Sequence, residues 1–266
     1  MPGFAEQGTK TLTFKWNIMK IGIIGTGAIG SILAKKLSDA GHQVKVTNTR
    51  DMATLKEIAN HLGAEAATIQ DVVKDVEAIV FSLPFKVYKD LPKHLLQTLG
   101  PEVIIMDTSN YYPFRDGELP GLEGKTESEY ISETLGRPVI KVFNSIMEYT
   151  LQHKGKAAGE EGRVAISVAG DNEDHKRVAA ELVNQTGFDT VDGGSLAESW
   201  RQEPGNPGYC TELNAAELKQ ALAAAEKGKG PVARDAVMQK FQSLNPFPSH
   251  EEMVAINRAF AAENLQ

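Results

Sequence analysis

The chain has 266 residues, 41% of them hydrophobic, and a formal net charge of −7. This composition suits one large or two small domains with a proper core, and the absence of a basic stripe argues against a nucleic-acid partner. The single cysteine, Cys210, excludes an intramolecular disulfide and supplies no metal-ligand cluster. No apolar run approaches the roughly 20 residues of a membrane span, and residues 1–18 lack the apolar core of a signal peptide. We therefore expect a soluble cytoplasmic protein with a short N-terminal extension over residues 1–18.

The first predicted unit is a βαβ segment over residues 20–50. An apolar run, Ile21–Ile24, predicts a buried parallel strand, a helical pattern follows it, and Gln43–Thr47 predicts the second strand. Between the first strand and the helix stands a run that fits G-x-G-x-x-G, namely Gly25, Thr26, Gly27, Ala28, Ile29 and Gly30. In such a motif the first glycine permits the tight turn, the second lets a pyrophosphate approach, and the third lets the helix pack close to the strand. The alternative is a glycine turn without a ligand, but the surrounding order of elements favours a dinucleotide site.

The end of the second strand indicates which dinucleotide binds. NAD sites usually carry Asp or Glu there, bonded to the ribose 2′-hydroxyl, whereas this chain has Asn48, Thr49 and Arg50. Arg50 can clamp a 2′-phosphate and Thr49 can donate a hydrogen bond to it, so the sequence predicts NADP rather than NAD as the cofactor. The alternative for Arg50 is a solvated surface charge. Asp51 lies one residue later, where it could also be the N-cap of a helix.

The sequence up to residue 150 continues to alternate strands and helices. We predict helices over 52–62, 69–73, 87–99 and 128–135, strands over 77–83, 103–106 and 139–143, a weak third strand over 64–68, and exposed loops over 111–117 and 119–130. The carboxyl ends of parallel strands meet at one edge of a sheet, so three strand ends should face a common crevice. The residues that we expect to contact the cofactor there are Ser82, Leu83, Pro84, Asn110 and Asn144.

The last part of the chain changes character. A strand over 162–169, a helix over 171–186 with Asp171 as its N-cap, and a strand over 188–191 should add one more pair to the sheet. Residues 193–210 are irregular and rich in Gly and Pro, and helices are predicted over 211–226, 231–241 and 249–263. The fold class is therefore α/β, a Rossmann-type doubly wound, mostly parallel sheet over residues 19–195 with a small helical C-terminal region over 196–266. The Ala-rich C-terminal helices could form a homodimer contact or pack on themselves.

The sequence shows no obvious acid or base for catalysis. We find no Lys-x-x-x-Asn helix, no Ser/Tyr-x-x-x-Lys pair, no His-Glu-x-x-His motif and no paired carboxylates, so no catalytic residue and no metal site are assigned. A ring acceptor such as a flavin or deazaflavin takes hydride directly and needs no proton relay. The absence of these motifs therefore fits such an acceptor.

The chain resembles the NADP oxidoreductases that reduce the deazaflavin coenzyme F420, whose domain also forms the cytosolic part of the STEAP metalloreductases. The resemblance lies in the glycine motif over 25–30, the Thr49–Arg50 pair, the strand end at 82–84 and the segment that contains Asn144. The similarity covers about residues 19–195. It implies that Thr49 and Arg50 bind the 2′-phosphate and that the 82–84 strand end holds the nicotinamide ribose. It also implies that the segment starting at Asn144 and Ser145 lies beside the second ring. The loop 110–117 and the region 200–210 depart from the family pattern.

The identity of the acceptor is therefore open. Aromatic residues in the departing regions could line an acceptor pocket or pack the C-terminal helices onto the sheet; together with Ser145 we take as pocket candidates Tyr111, Trp200 and Tyr209. The main hypothesis is an NADP-dependent oxidoreductase that transfers hydride to a flavin-like or small carbonyl acceptor. The alternatives are a β-hydroxyacid or imine reductase relative with an unrecognised proton donor, and a non-catalytic NADP-binding redox sensor.

Overall fold

The computed structural model describes residues 18–92 and 94–263, so the predicted N-terminal extension lies, except for its last residue, outside the described residues. Its centre is a six-stranded sheet in the order β3-β2-β1-β4-β5-β6, in which every pair of neighbours is parallel. The strands are β1 (Lys20–Ile24), β2 (Gln43–Thr47), β3 (Glu65–Ala66), β4 (Ala78–Phe81), β5 (Ile104–Asp107) and β6 (Ile140–Lys141). This is the strand order of a doubly wound dinucleotide-binding fold, and the predicted fold class is confirmed.

Helices cover the sheet and form the C-terminal part of the described chain. They are α1 (Ala28–Asp39), α2 (Met52–Leu62), α3 (Pro113–Asp116), α4 (Glu127–Leu135), α5 (Glu148–His153), α6 (Glu173–Gln185), α7 (Ala215–Ala224), α8 (Lys229–Ser243) and α9 (His250–Glu263). Short 3-10 helices occur at Phe85–Asp90, Pro120–Leu122 and Leu196–Gln202. None of the helices in the described ranges is long and apolar enough to cross a bilayer.

The apolar runs of the strands form a core on each face of the sheet. Ile23 in β1 pairs with Val46 in β2 and Val80 in β4, and all three are fully buried in one core with α1 and α2. On the other face, Ile79 and Phe81 of β4 pack in a second core with the 3-10 helix Phe85–Asp90 and with α4. Because both faces are covered, the central strands read as continuous apolar runs rather than alternating patterns.

The two strands after residue 150 were predicted to extend the main sheet, but they do not. β7 (Ala165–Val168) and β8 (Asp189–Asp192) form a parallel sheet of their own. One antiparallel bridge joins it to the main sheet, through reciprocal hydrogen bonds between Lys141 and Ala169 at 2.9 and 3.0 Å. β6 has only two residues, so the ladder is too short to continue beyond this bridge.

Two predicted helices are wrong. Residues 69–73 form turns, in which the Thr68 hydroxyl accepts the Asp71 N–H. The helix predicted over 87–99 is instead the 3-10 helix Phe85–Asp90, with turns over 94–98. Pro92 lacks an N–H donor and disfavours a helical residue before it, which explains why no α-helix runs through this stretch.

Local capping explains the other differences. Asn172 rather than Asp171 is the N-cap of α6, where its side chain accepts the His175 N–H, and Asp171 accepts the Leu196 N–H instead. The stretch predicted as exposed over 119–130 is buried at 126–128, where Thr126 forms a capping box for α4. The loop predicted over 111–117 contains the short helix α3.

Candidate active site

The glycine turn after β1 is fixed by close backbone contacts. Gly25 has φ +105°, and its N–H donates to the Thr47 carbonyl at 2.9 Å. A Cβ atom at Gly25 would lie 2.2 Å from the Ser82 carbonyl oxygen, and one at Gly30 would lie 2.0 Å from the Gly25 carbonyl oxygen. Both positions therefore require glycine for the packing of the turn itself.

Gly27 differs from its two neighbours in the motif. It is exposed, it has an ordinary φ of −73°, and a Cβ atom there would meet no heavy atom within 4 Å. As the N-cap of α1 it provides no side-chain acceptor for the first N–H groups of the helix. The fold itself does not need glycine at this position, whereas a pyrophosphate approaching the helix terminus would need the space.

The end of β2 is tied to the same turn. The Asn48 amide donates to the Thr26 hydroxyl oxygen at 2.6 Å, and its carbonyl oxygen accepts the Arg50 N–H at 2.8 Å. Thr49 and Arg50 are exposed. Asp51 is the N-cap of α2, and hydrogen bonds from Thr54 lower the pKa of its carboxyl group. The Asp51 carboxylate thus caps α2 and forms no ion pair with the Arg50 guanidinium.

The carboxyl ends of β4, β5 and β6 lie at the same edge of the parallel sheet as this turn, and we call this edge the crevice. The Ser82 N–H donates to the Ile24 carbonyl at 2.9 Å, which places Ser82 and the half-buried Leu83 over the glycine turn, next to the exposed Pro84. Asn110 and Asn144 follow β5 and β6, and Asn144 is only 2% exposed. The structure therefore places Ser82 and Leu83 against the glycine turn and Asn110 against Asn144, with both groups at the same edge of the sheet.

Two asparagines and a glutamine connect these ends to the Gly- and Pro-rich segment. The Asn110 amide donates to the Asn144 backbone carbonyl at 2.8 Å, and the Asn144 amide donates to the Asn110 side-chain oxygen at 3.0 Å. The Asn144 amide also donates to the Gln202 carbonyl at 2.7 Å, and the Gln202 amide donates to the Asn144 side-chain oxygen at 3.0 Å. This network joins the ends of β5 and β6 to the Gly- and Pro-rich segment.

Among the acceptor-pocket candidates, Tyr209 contacts a strand-end asparagine, whereas the side chains of Tyr111, Trp200 and Ser145 have their contacts elsewhere. The Tyr209 hydroxyl shares a 2.8 Å hydrogen bond with the Tyr112 hydroxyl and lies 3.3 Å from the Asn110 amide, so it belongs to the crevice. Tyr111 packs on Phe85 and donates to the Gly117 carbonyl. Trp200 stacks with Arg201, which reaches carbonyls at the end of α7. Ser145 lies between Ser167, at 3.5 Å, and the Cys210 N–H, which its carbonyl accepts.

Sequence reasoning missed a buried charged cluster directly below the crevice. Lys141 is fully buried, and its ammonium donates to the Ser109 carbonyl and to the Glu127 carboxylate, both at 3.2 Å, with Asp107 at 4.0 Å. The Glu127 N–H donates to the Glu203 carboxylate at 2.7 Å. A lysine inside the apolar run 139–143 was the available signal, since such a charge needs buried partners.

Burial and mutual repulsion shift the pKa values in this cluster. Burial, reinforced by the nearby Glu203 carboxylate, raises the pKa of Glu127 to about 8. Burial also raises the pKa of Glu203. For Lys141 burial works against the charged form, but the Glu127 and Asp107 carboxylates outweigh it and raise the pKa. The lysine thus stays charged and fixes the turn after β5, while burial favours the protonated form of Glu127.

No arrangement suited to a metal ion occurs in the described ranges, because no three His, Cys, Asp or Glu side chains are grouped there as ligands.

Comparison with known proteins agrees with this geometry. The family model described as NADP oxidoreductase, coenzyme F420-dependent, matches residues 20–111, which span the glycine turn and the strand ends up to β5. A solved structure of a putative F420-dependent NADP-reductase from Arthrobacter sp. FB24 has 26% sequence identity and a TM-score of 0.54, covering 68% of this chain and 87% of its own.

Two curated relatives extend the comparison. Putative protein YjhV of Escherichia coli (strain K12) is 40% identical over 109 residues, which are 41% of this chain and 80% of that protein. Metalloreductase STEAP3 of Rattus norvegicus is 27% identical over 181 residues, which are 68% of this chain. The chain spans only 35% of the length of STEAP3, so the likeness concerns one part of that protein.

Proposed function

We propose that the cofactor of this chain is NADP(H) and that the chain exchanges hydride with a small-molecule acceptor. The chain belongs to the family of coenzyme F420-dependent NADP oxidoreductases and is thus an oxidoreductase that uses a nicotinamide dinucleotide. The observation that carries the proposal is the contrast among the three glycines of the motif. Gly25 and Gly30 are required by backbone packing, whereas Gly27 leaves open space at an uncapped helix terminus. That is where a dinucleotide-binding fold holds the pyrophosphate.

The choice of NADP over NAD rests on the end of β2. The exposed Arg50 can bind the 2′-phosphate bidentately, and Thr49 beside it can donate a further hydrogen bond. The neighbouring Asp51 is held by Thr54 as a helix cap, which weakens its competition for the same ribose. A guanidinium and no free carboxylate favour the phosphorylated ribose.

The strand ends support the placement of the nicotinamide. When bound, NADPH supplies a hydride, and the chain's own residues position the acceptor against it. Ser82, Leu83 and Pro84 flank the glycine turn, and the Asn110–Asn144 pair lies at the ends of β5 and β6, farther along the same edge of the sheet. Hydrogen bonds between these residues limit their movement, which would help to hold the nicotinamide and the acceptor in a fixed relative position. The deazaflavin named for the family and a small carbonyl compound are the two acceptor classes that we consider.

Acceptor-dependent oxidation of NADPH tests this function. We would mix the protein with NADPH and, in turn, flavins, the deazaflavin F420 and small carbonyl compounds, and follow the loss of reduced nicotinamide. The proposal expects turnover with at least one acceptor, and expects it to be strongly reduced in Gly27→Ala. Tight NADPH binding without turnover on any acceptor would instead support a redox sensor without catalytic activity.

A further inference from the structure

A small cavity lies behind the crevice, between the segment after residue 203 and α8. Its volume is about 130 Å³. Polar groups come from Tyr112, Tyr209 and Arg234, and apolar groups come mainly from Met147, Met238 and Phe241. Pockets for drug-sized ligands usually have roughly 300 Å³ or more, so this cavity suits a small molecule rather than a three-ring flavin.

The cavity is lined by a buried arginine whose guanidinium lies over the Tyr111 ring, 5.9 Å from its centre. Arg234 is 8% exposed, and its Nε donates to the Asp235 carboxylate at 2.8 Å. Asp235 is 59% exposed, so this pair lies on the outer side of α8. Across residues 18–92 and 94–263, no other carboxylate lies within 4 Å of the guanidinium. One terminal nitrogen makes a long contact of 3.5 Å with the Tyr111 carbonyl.

Close backbone packing fixes Arg234 in this position. Gly205 has φ +85°, and a Cβ atom there would lie 2.0 Å from the Gly230 carbonyl oxygen and 2.4 Å from the Arg234 nitrogen. The loop before Tyr209 is therefore pressed onto the first turns of α8. A guanidinium that is buried, held at its base and open at its fork is preorganised for a carboxylate or a similar anion.

The two tyrosines connect the cavity to the crevice. Tyr112 and Tyr209 line the cavity and share a hydrogen bond, and Tyr209 also contacts the amide of Asn110 at the strand ends. Burial raises the pKa of both hydroxyl groups, which keeps them protonated at neutral pH. One of their two protons lies in the hydrogen bond between them, so the pair can donate one hydrogen bond to a carbonyl oxygen placed between the cavity and the strand ends.

From this arrangement we propose that the hydride acceptor is a small carbonyl compound that bears a carboxylate, and that Arg234 binds this carboxylate. The inference rests on the proposed function and names its substrate class. The carbonyl carbon gains the hydride that NADPH supplies, and the electron pair of the C=O π bond moves to the oxygen. The oxygen then takes a proton, which comes from solvent through the tyrosine hydroxyls. The products are the hydroxy acid and NADP⁺.

Calorimetric titration of the protein saturated with NADP⁺ tests the inference. The probes are pyruvate and 2-oxobutyrate, with butanone as the neutral control of similar shape. We expect the two acids to bind and butanone to bind far more weakly. Arg234→Gln should lower the affinity for the acids by about tenfold or more, because it removes the charge-assisted hydrogen bonds to the carboxylate. Arg234→Lys, which keeps the charge without the fork, should give an intermediate affinity.

Lys240→Gln is the matched control, since it removes an exposed positive charge from the same helix. Its affinity for the acids should equal that of the unaltered protein. Equal affinity in Arg234→Gln and in the unaltered protein would overturn the inference, as would binding of butanone as tight as that of the acids. If Arg234→Gln does not fold, the comparison of acids with butanone on the unaltered protein decides alone.

Failure of this inference and failure of the proposed function give different results. Binding of NADPH and turnover with a flavin or deazaflavin, but no binding of either acid, would overturn the carboxylate assignment and leave the oxidoreductase assignment intact. Absence of NADPH binding would overturn the proposed function first and the substrate class with it.

Discussion

Asn110 and Asn144 exchange two hydrogen bonds across the carboxyl ends of β5 and β6, at 2.8 and 3.0 Å. Both asparagines follow shortly after the last residues of these parallel strands. Gln202, in the Gly- and Pro-rich segment, accepts a hydrogen bond from the Asn144 amide at 2.7 Å and donates one to the Asn144 side-chain oxygen at 3.0 Å. Three distant parts of the chain thus meet at one amide group. Because the Asn144 side chain bonds to both Asn110 and Gln202, its loss should affect both partners.

Asn144→Ala should lower the free energy of unfolding by about 1–3 kcal/mol. The substitution leaves the Asn110 side-chain oxygen and the Gln202 carbonyl without their buried donor. Urea unfolding followed by circular dichroism measures the change. Asn60→Ala, on the exposed face of α2, is the control and should stay within about 0.5 kcal/mol. Equal effects of the two substitutions would mean that the amide network does not stabilise the crevice.

Alanine substitutions at the glycine motif should separate packing from ligand binding. Gly25→Ala should cost about 1–3 kcal/mol or more of stability, because the new Cβ would lie 2.2 Å from the Ser82 carbonyl oxygen at a positive φ. Gly27→Ala should leave stability nearly unchanged, since its Cβ would meet no heavy atom within 4 Å, yet weaken NADPH binding roughly tenfold or more. Thermal unfolding and NADPH titration of both variants give the two readouts. Unimpaired NADPH binding by Gly27→Ala would count against a pyrophosphate at this helix terminus.

Stability should fall as the pH rises from about 4.5 to about 8. The folded protein holds the Glu127 proton up to a pKa of about 8, whereas the ordinary carboxyl value is 4.5, so the folded state binds more protons throughout this window. The favourable contribution is complete below the ordinary value and is lost as the pH rises through the folded one. Glu127→Gln should flatten this dependence, and denaturant unfolding at a series of pH values measures it. The exposed Glu133→Gln on the same helix should keep the original slope; a parallel slope in Glu127→Gln would remove this carboxyl as the cause.

The βαβ unit could be predicted from the sequence because its signals are local. The run Ile21–Ile24, the glycine motif and the strand Gln43–Thr47 each carry their own pattern, and the structure has them within a residue of the predicted bounds. The helix cap after β2 was also readable, since Asp51 precedes a periodic segment. The resemblance to the F420-dependent family rested on these same motifs and is confirmed.

The remaining errors come from interactions that a local pattern does not encode. The 87–99 stretch has helical periodicity, but Pro92 interrupts it. β7 and β8 look like two more strands of the main sheet, but β6 offers only two residues for pairing. Lys141 and Glu127 are far apart in sequence and acquire their roles only through burial together. Arg234 likewise shows no motif, because its cavity is assembled from five separate segments.

The most direct test of the central claim is the titration of NADPH and NADH against the unaltered protein and Arg50→Ala. The unaltered protein should bind NADPH more tightly than NADH. Arg50→Ala should weaken NADPH binding by roughly tenfold or more and leave NADH nearly unaffected, because only NADPH carries the 2′-phosphate. Lys56→Ala, an exposed charge on α2, should change neither affinity. If Arg50→Ala weakened the binding of NADPH and of NADH equally, the assignment of Arg50 to the 2′-phosphate would be contradicted. If the unaltered protein bound neither dinucleotide, the assignment of a dinucleotide site to the glycine motif would be contradicted.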